Sequence, residues 1–271
     1  MDKAKIVLLL AALSLVSCSQ YKWTQVTMDG SRIGASIPTT DNVKESLGQV
    51  ENGVYTAPNG RQYEGMVADV ARIMIDAQLR MAPVKEYLGY AEKDMIKRYP
   101  ESELSNMIVD CVMAETEKVT GRKVDIGLMN FGGIRVDLHK GDIIMDDMMS
   151  MLPFGNKLCY VGLKGSDVRY MLDKMAASRV QVLGGVSLKV EDHKITELLV
   201  GGEPLDDERI YGLATCDFLL NGGDDINAAR NAVELIITED VVLDAVLVYV
   251  RSLTAEGKPI SYSLDGRVQI K

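Results

Sequence analysis

Asn130-Phe131-Gly132-Gly133-Ile134-Arg135 closes an apolar run over residues 124–129 and turns on two glycines. The same pattern occurs twice more. Leu152-Pro153-Phe154-Gly155-Asn156 leads into the apolar run 157–163, and Phe218-Leu219-Leu220-Asn221-Gly222-Gly223-Asp224 comes after the run 210–215. Glycine tolerates positive φ and lets a backbone approach a neighbour or ligand closely, so Gly132, Gly133, Gly222 and Gly223 mark turns at strand ends. Further strand-like runs cover 182–190, 195–200, 234–237 and 267–270.

Helical periods lie between these runs. Met66, Val70, Ile73, Met74, Ala77 and Met81 recur at helix spacing, and Pro83 ends that helix. Leu104, Met107, Ile108 and Cys111 define a second helix with Ser102 as its cap. Gly165-Ser166 is expected to cap a third, bearing Val168, Met171, Leu172 and Met175, and Thr238 a fourth, bearing Val241, Ala245, Val248 and Tyr249. Strands and helices without regular alternation predict an α+β fold, mixed sheets covered by helices.

Residues 1–17 read as a signal peptide. Lys3 and Lys5 precede an h-region of roughly ten apolar residues, well short of the ~20 a spanning helix needs. Leu15-Val16-Ser17-Cys18 resembles the lipobox of bacterial lipoproteins, which makes Cys18 the expected lipidation site and first mature residue. An ordinary signal peptide with a chance cysteine is the alternative. The implied location is the bacterial cell envelope, lipid-anchored on the periplasmic face. Residues 18–60 are weakly patterned and read as a tether with one or two short strands, and 61–271 as the domain proper.

A formal charge of −9 argues against polymeric nucleic acid as a partner. Cys111, Cys159 and Cys216 sit in apolar runs and read as buried small hydrophobes. Hydrolytic metal sites gather several His, Asp and Asn ligands. This chain has two histidines, His139 and His193, each in a polar setting that reads as a solvated loop. No Gly-x-Ser-x-Gly, Gly-x-x-x-x-Gly-Lys or Cys-x-x-Cys occurs, so no catalytic residue is assigned and the chain alone is expected to be inactive.

The groups at the glycine turns suit a nucleotide: an amide, a guanidinium, aromatic faces and a carboxylate. All three phenylalanines of the chain lie in these segments. Taken in order, the three turns resemble the substrate-binding C-terminal domain of the 5'-nucleotidases, over residues 81–271. That family joins this domain to an N-terminal metallophosphoesterase domain. The resemblance implies that Phe154 and Phe218 sandwich a base, that Asp224 accepts hydrogen bonds from the ribose hydroxyls, and that Asn130 meets the base edge. It places Arg135 on the phosphate, where a planar guanidinium can bind bidentately. Arg98 is the second phosphate candidate, because Glu101-Ser102-Glu103-Leu104-Ser105-Asn106 resembles the stretch after a phosphate-binding arginine in the family. Pro100 and Ser105 depart from that pattern, as does Asp225 beside Asp224, and a solvated helix-end charge is the other reading of Arg98. Phe131 receives no role.

The resemblance implies no cofactor in this chain, with divalent metals expected in a separate metallophosphoesterase chain as partner. A nucleotide- or nucleoside-recognising subunit of a phosphohydrolase is the expectation. A stand-alone binding lipoprotein, or a structural lipoprotein with a relict pocket, are its rivals.

Overall fold

The computed structural model describes Pro38 and residues 41–271. The signal segment, Cys18 and most of the expected tether lie outside the described residues. From residue 41 the chain forms α1 (Val43–Leu47), then β1 (Gln49–Glu51), β2 (Val54–Thr56) and β3 (Gln62–Tyr63), an antiparallel three-stranded sheet. The sequence predicts one or two short strands before residue 60; two are present, with a third just beyond.

α2 spans Met66–Met81 and stops before Pro83, as the periodicity predicts. Its apolar stripe, however, faces solvent. Met66, Val70, Ile73 and Met74 are exposed, while Ala68, Ala71 and Gln78 are buried on the opposite face. Periodicity identified the helix, and small residues decide which side meets the three-stranded sheet.

α3 (Glu103–Thr120) is the main packing helix. Ser102 caps it: its hydroxyl accepts from the Ser105 N–H, and the Ser105 hydroxyl accepts from the Ser102 N–H. Gly121 closes it in the left-handed region at φ +63°. Leu104, Met107, Ile108 and Val112 are fully buried, each contributing ~1.5–3 kcal/mol relative to exposure.

This helix lies on a five-stranded sheet. The strands are β5 (Ile126–Met129), β7 (Lys157–Lys164), β8 (Val182–Gly184), β12 (Ile210–Cys216) and β13 (Glu234–Val241), in the order β13-β7-β12-β5-β8. β5 and β12 are parallel, with Leu213 opposite Ile126, and β7 runs antiparallel to β12, with Cys216 opposite Leu158. The C-terminal ends of β5 and β12 and the N-terminal end of β7 thus share one edge of the sheet. Those ends carry the three glycine turns.

α5 (Gly165–Ala177) packs against β7 and against a second, four-stranded sheet. That sheet comprises β9 (Val186–Glu191), β10 (Lys194–Val200), β11 (Glu203–Pro204) and β14 (Val268–Ile270), in the order β11-β10-β9-β14. A two-stranded antiparallel pair, β4 (Tyr87–Ala91) with β6 (Gly141–Ile144), and α4 (Met145–Met151) were not foreseen from sequence. α6 (Val242–Ala255) covers α3 and β4. Among the described residues no helix is long and apolar enough to cross a membrane.

Three expectations are corrected locally. Gly165 is already helical and Lys164 holds the cap position, without a side-chain cap bond. Thr238 belongs to β13, where its hydroxyl bonds the Leu158 and Asp240 carbonyls; Asp244 instead accepts the Val241 N–H at the start of α6. The run 182–190 breaks at Gly185, whose φ is +71° and whose missing Cβ would sit 2.1 Å from the Asp125 carbonyl oxygen.

Candidate functional site

The sheet edge gathers most of the sequence-predicted residues into one connected set. From β5, Asn130 is buried at 4% exposure and its Nδ2 donates to Asp224 Oδ2 at 2.6 Å. Asp224 stands on the turn after β12 with φ +49°, and Asp225 is next at +60°, backbone that non-glycine residues adopt sparingly. Asn130 therefore fixes the Asp224 carboxylate by a charge-assisted bond and leaves that carboxylate exposed. The Asn130 Oδ1 is buried without a partner among the described residues, and a Cβ on Gly133 would lie 2.7 Å from it. Glycine at 133 is what lets the amide fit.

Gly223 performs the matching service for Phe218. A Cβ there would meet the Phe218 carbonyl oxygen at 2.2 Å and two ring carbons at 2.7 Å. Phe218 packs on the Gly223 backbone and still leaves 47% of itself exposed. Phe154, on the loop before β7, is 56% exposed. Arg135 connects it to the rest: its guanidinium lies 5.7 Å from the Phe154 ring centroid and donates to the Gly132 carbonyl at 3.3 Å. A surface so rich in exposed aromatic faces, beside one oriented carboxylate and one guanidinium, can stack a flat ring, hold a diol and receive an anion.

Arg98 is exposed and has no hydrogen bond or ion pair among the described residues, so the structure does not join it to Arg135. Its neighbours do approach the turn. Lys97 Nζ donates to the Ile134 carbonyl at 2.5 Å, and Tyr99 meets Phe131 edge to face at 5.8 Å. Phe131, given no role from sequence, is buried at 6% exposure, its N–H donating to Gln181 Oε1.

A feature that sequence reasoning missed lies on the α5 side of Asp224. A cavity of about 820 Å³ is lined there by Lys97, Tyr99, Tyr170, Lys174, Arg179 and Arg230, among others. No spacing in the sequence announces it, because its walls come from four separate segments.

The described residues contain no group of three or more His, Cys, Asp or Glu placed to hold a metal ion. His139 is exposed beside Asp94 at 3.6 Å, and His193 sits exposed in the β9–β10 turn at φ +62°. Cys111, Cys159 and Cys216 are free and buried, as their apolar settings predict. Burial pushes the first two thiols up to about 12 and the third to about 11.

An α+β domain with three strand-end turns gathered at one edge of its central sheet is the class these observations define. The family model described as the 5'-nucleotidase C-terminal domain matches residues 84–231, just over half of the chain, and the chain belongs to that family. A cell wall protein of Listeria monocytogenes is 29% identical over 228 residues, 74% of this chain and 29% of that protein. A 5'-nucleotidase of Vibrio cholerae is 31% identical over 134 residues, 48% of this chain and 23% of that enzyme. The crystal structure of a 5'-nucleotidase precursor from Thermus thermophilus superposes with a TM-score of 0.65 at 25% identity, covering 80% of this chain and 45% of that one. The chain thus spans under a third of the length of these two curated relatives.

Proposed function

We propose that this chain is the nucleotide- or nucleoside-recognising half of a 5'-nucleotidase-type phosphohydrolase, with a separate metallophosphoesterase chain supplying the metals and the activated water. The observation that carries the proposal is the exposure of Phe154 and Phe218 at the same sheet edge as the Asn130-oriented Asp224 carboxylate. Apolar rings left in water cost free energy unless a ligand or partner covers them. Phe154 and Phe218 would stack the base, Asp224 would take the ribose hydroxyls, and Arg135, with Arg98, would meet the phosphate. Asn130, buried behind Asp224, would act as a positioning residue rather than at the base edge.

The proposal assigns the metals to the partner; among the described residues no group of three or more His, Cys, Asp or Glu is placed to hold one. Holding a substrate in reactive geometry can by itself contribute a large part of a rate enhancement. Lipidation at Cys18 would anchor the complex at the membrane surface of the cell envelope.

The test is reconstitution. The purified chain is mixed with a stand-alone metallophosphoesterase domain and AMP, and phosphate release is monitored. Release well above that of either component alone, lost on chelation and in Phe218→Ala, is expected. Equal release with and without this chain would sink the proposal.

A further inference from the structure

The cavity beside α5 gathers four cations against three carboxylates, a net positive lining in a protein whose formal charge is −9. Lys97, Lys174, Arg179 and Arg230 line it, and none forms an ion pair among the described residues. The lining carboxylates pair with none of them: Asp224 accepts from Asn130, Asp167 accepts from Asn231 Nδ2 at 2.7 Å, and Asp225 forms no ion pair among the described residues. Gathering like charges around one space is unfavourable unless something of opposite sign is received there.

Aromatic faces hold three of these heads in place. The Arg179 guanidinium lies 5.0 Å from the Tyr99 ring centroid. Arg230 lies 3.9 Å over Tyr170, and Lys174 Nζ is 5.3 Å from the same ring. A guanidinium stacked on a ring is oriented but not neutralised, and its in-plane N–H groups stay available for a bidentate oxyanion. Beneath them the floor is apolar, with Leu163, Met171 and Met175 all buried. Gln181 completes the wall, its Oε1 held by Phe131 N–H.

We propose that this cavity is a second binding site, for a small ligand bearing a multiply charged phosphate group, separate from the edge formed by Phe154, Phe218 and Arg135. It meets the glycine turns at Phe131, Gly132, Asp224 and Asp225, and Phe154, Phe218 and Arg135 are not among its lining residues. The volume of about 820 Å³ accommodates more than a single phosphate; pockets for small organic ligands run from about 300 to 1,000 Å³. The phosphate group can be free or carried on a nucleotide. The proposal does not depend on the base-stacking role of Phe154 and Phe218.

The test is calorimetric titration of the purified chain with sodium tripolyphosphate at about 50 mM salt, where surface charges are only partly screened. Saturable binding is expected, weakening as salt rises. The Arg179→Gln/Arg230→Gln double variant should weaken it at least about tenfold through loss of two charge-assisted contacts, and Phe218→Ala should leave it unchanged. Should the double variant melt early, Lys174→Gln, on an exposed helix position, should still weaken binding measurably. Titration with ATP separates the two sources of the phosphate. Tighter binding than tripolyphosphate, with that gain lost in Phe218→Ala, identifies a nucleotide spanning both sites; equal affinity identifies a free polyanion. Absence of saturable tripolyphosphate binding, or binding that neither cation variant weakens, overturns the proposal. Titration with uncharged adenosine tests the stacking edge on its own.

Discussion

Gly223→Ala isolates the geometry that presents Phe218. The added methyl would sit 2.2 Å from the Phe218 carbonyl oxygen and 2.7 Å from the ring atoms Cδ1 and Cε1. A comfortable carbon contact lies near 3.5 Å, so the backbone of this turn must yield by about 1 Å and the ring must leave its seat. The protein should stay folded, because Gly223 lies in a surface turn after β12, with destabilisation of about 1–3 kcal/mol from overpacking. Ligand binding should suffer as if the ring were removed, by ~1–3 kcal/mol, which is about 5- to 150-fold in the Kd for adenosine. Calorimetry on wild type, Gly223→Ala, Phe218→Ala and the double variant reads this as a cycle. Once the ring is gone the alanine should have little left to disrupt, so the double variant should bind like Phe218→Ala. Wild-type affinity in Gly223→Ala, or losses that simply add, would refute the idea that Gly223 works through Phe218.

Two further predictions concern stability. Arg267, with a side chain only 9% exposed, bonds both oxygens of Asp110, at 2.7 and 3.0 Å, and both of Asp265. Asp110 and Asp265 are partly exposed, so Arg267→Ala should cost ~2–3 kcal/mol, below the 3–5 kcal/mol typical of breaking a fully buried pair. Denaturant midpoints check it, and a change under ~0.5 kcal/mol would count against it. Hydrogen bonding to Arg267 depresses the Asp265 pKa, so that stability is present above the usual carboxylate value of 3.8 and fades as pH falls below it. Arg267→Ala should flatten that acid limb. At the other extreme, burial raises Cys111 and Cys159 from 9.0 to about 12. A raised pKa means stability is intact below pH 9 and lost as pH climbs toward 12, and thiol labelling at pH 8 should be slow until the protein unfolds. Rapid stoichiometric labelling of the native protein would contradict their burial.

Local signals carried the fold a long way. The Ser102 cap, the stop at Pro83 and the strand within the apolar run 124–129 are short-range features, and each appears where the residues place it; the strand itself starts at Ile126. The strand at 87–91 was opaque because Tyr87 and Tyr90 face outward and Gly89 interrupts the apolar pattern; its partner 141–144 lies far along the chain. Thr238 was misread as a cap because an isolated threonine before an apolar period looks alike in a strand and at a helix start. The exposed stripe of α2 marks a second limit, since periodicity reports a helix but not which face is covered. At the site, Gly133 and Gly223 were legible as turns. That one accommodates Asn130 and the other Phe218 depends on contacts between distant segments. The cavity of Lys97, Lys174, Arg179 and Arg230 was invisible for the same reason, its charges being scattered over more than a hundred residues.

Nucleotide recognition at the sheet edge is tested most directly by titrating the purified chain with AMP and with adenosine, in wild type and in Phe218→Ala and Arg135→Ala. Wild type should bind both ligands. Phe218→Ala should weaken both by ~1–3 kcal/mol, while Arg135→Ala should weaken AMP more than adenosine, because only AMP has a phosphate to lose. Failure of wild type to bind either ligand, or wild-type binding of both ligands by both variants, would contradict nucleotide recognition at this edge.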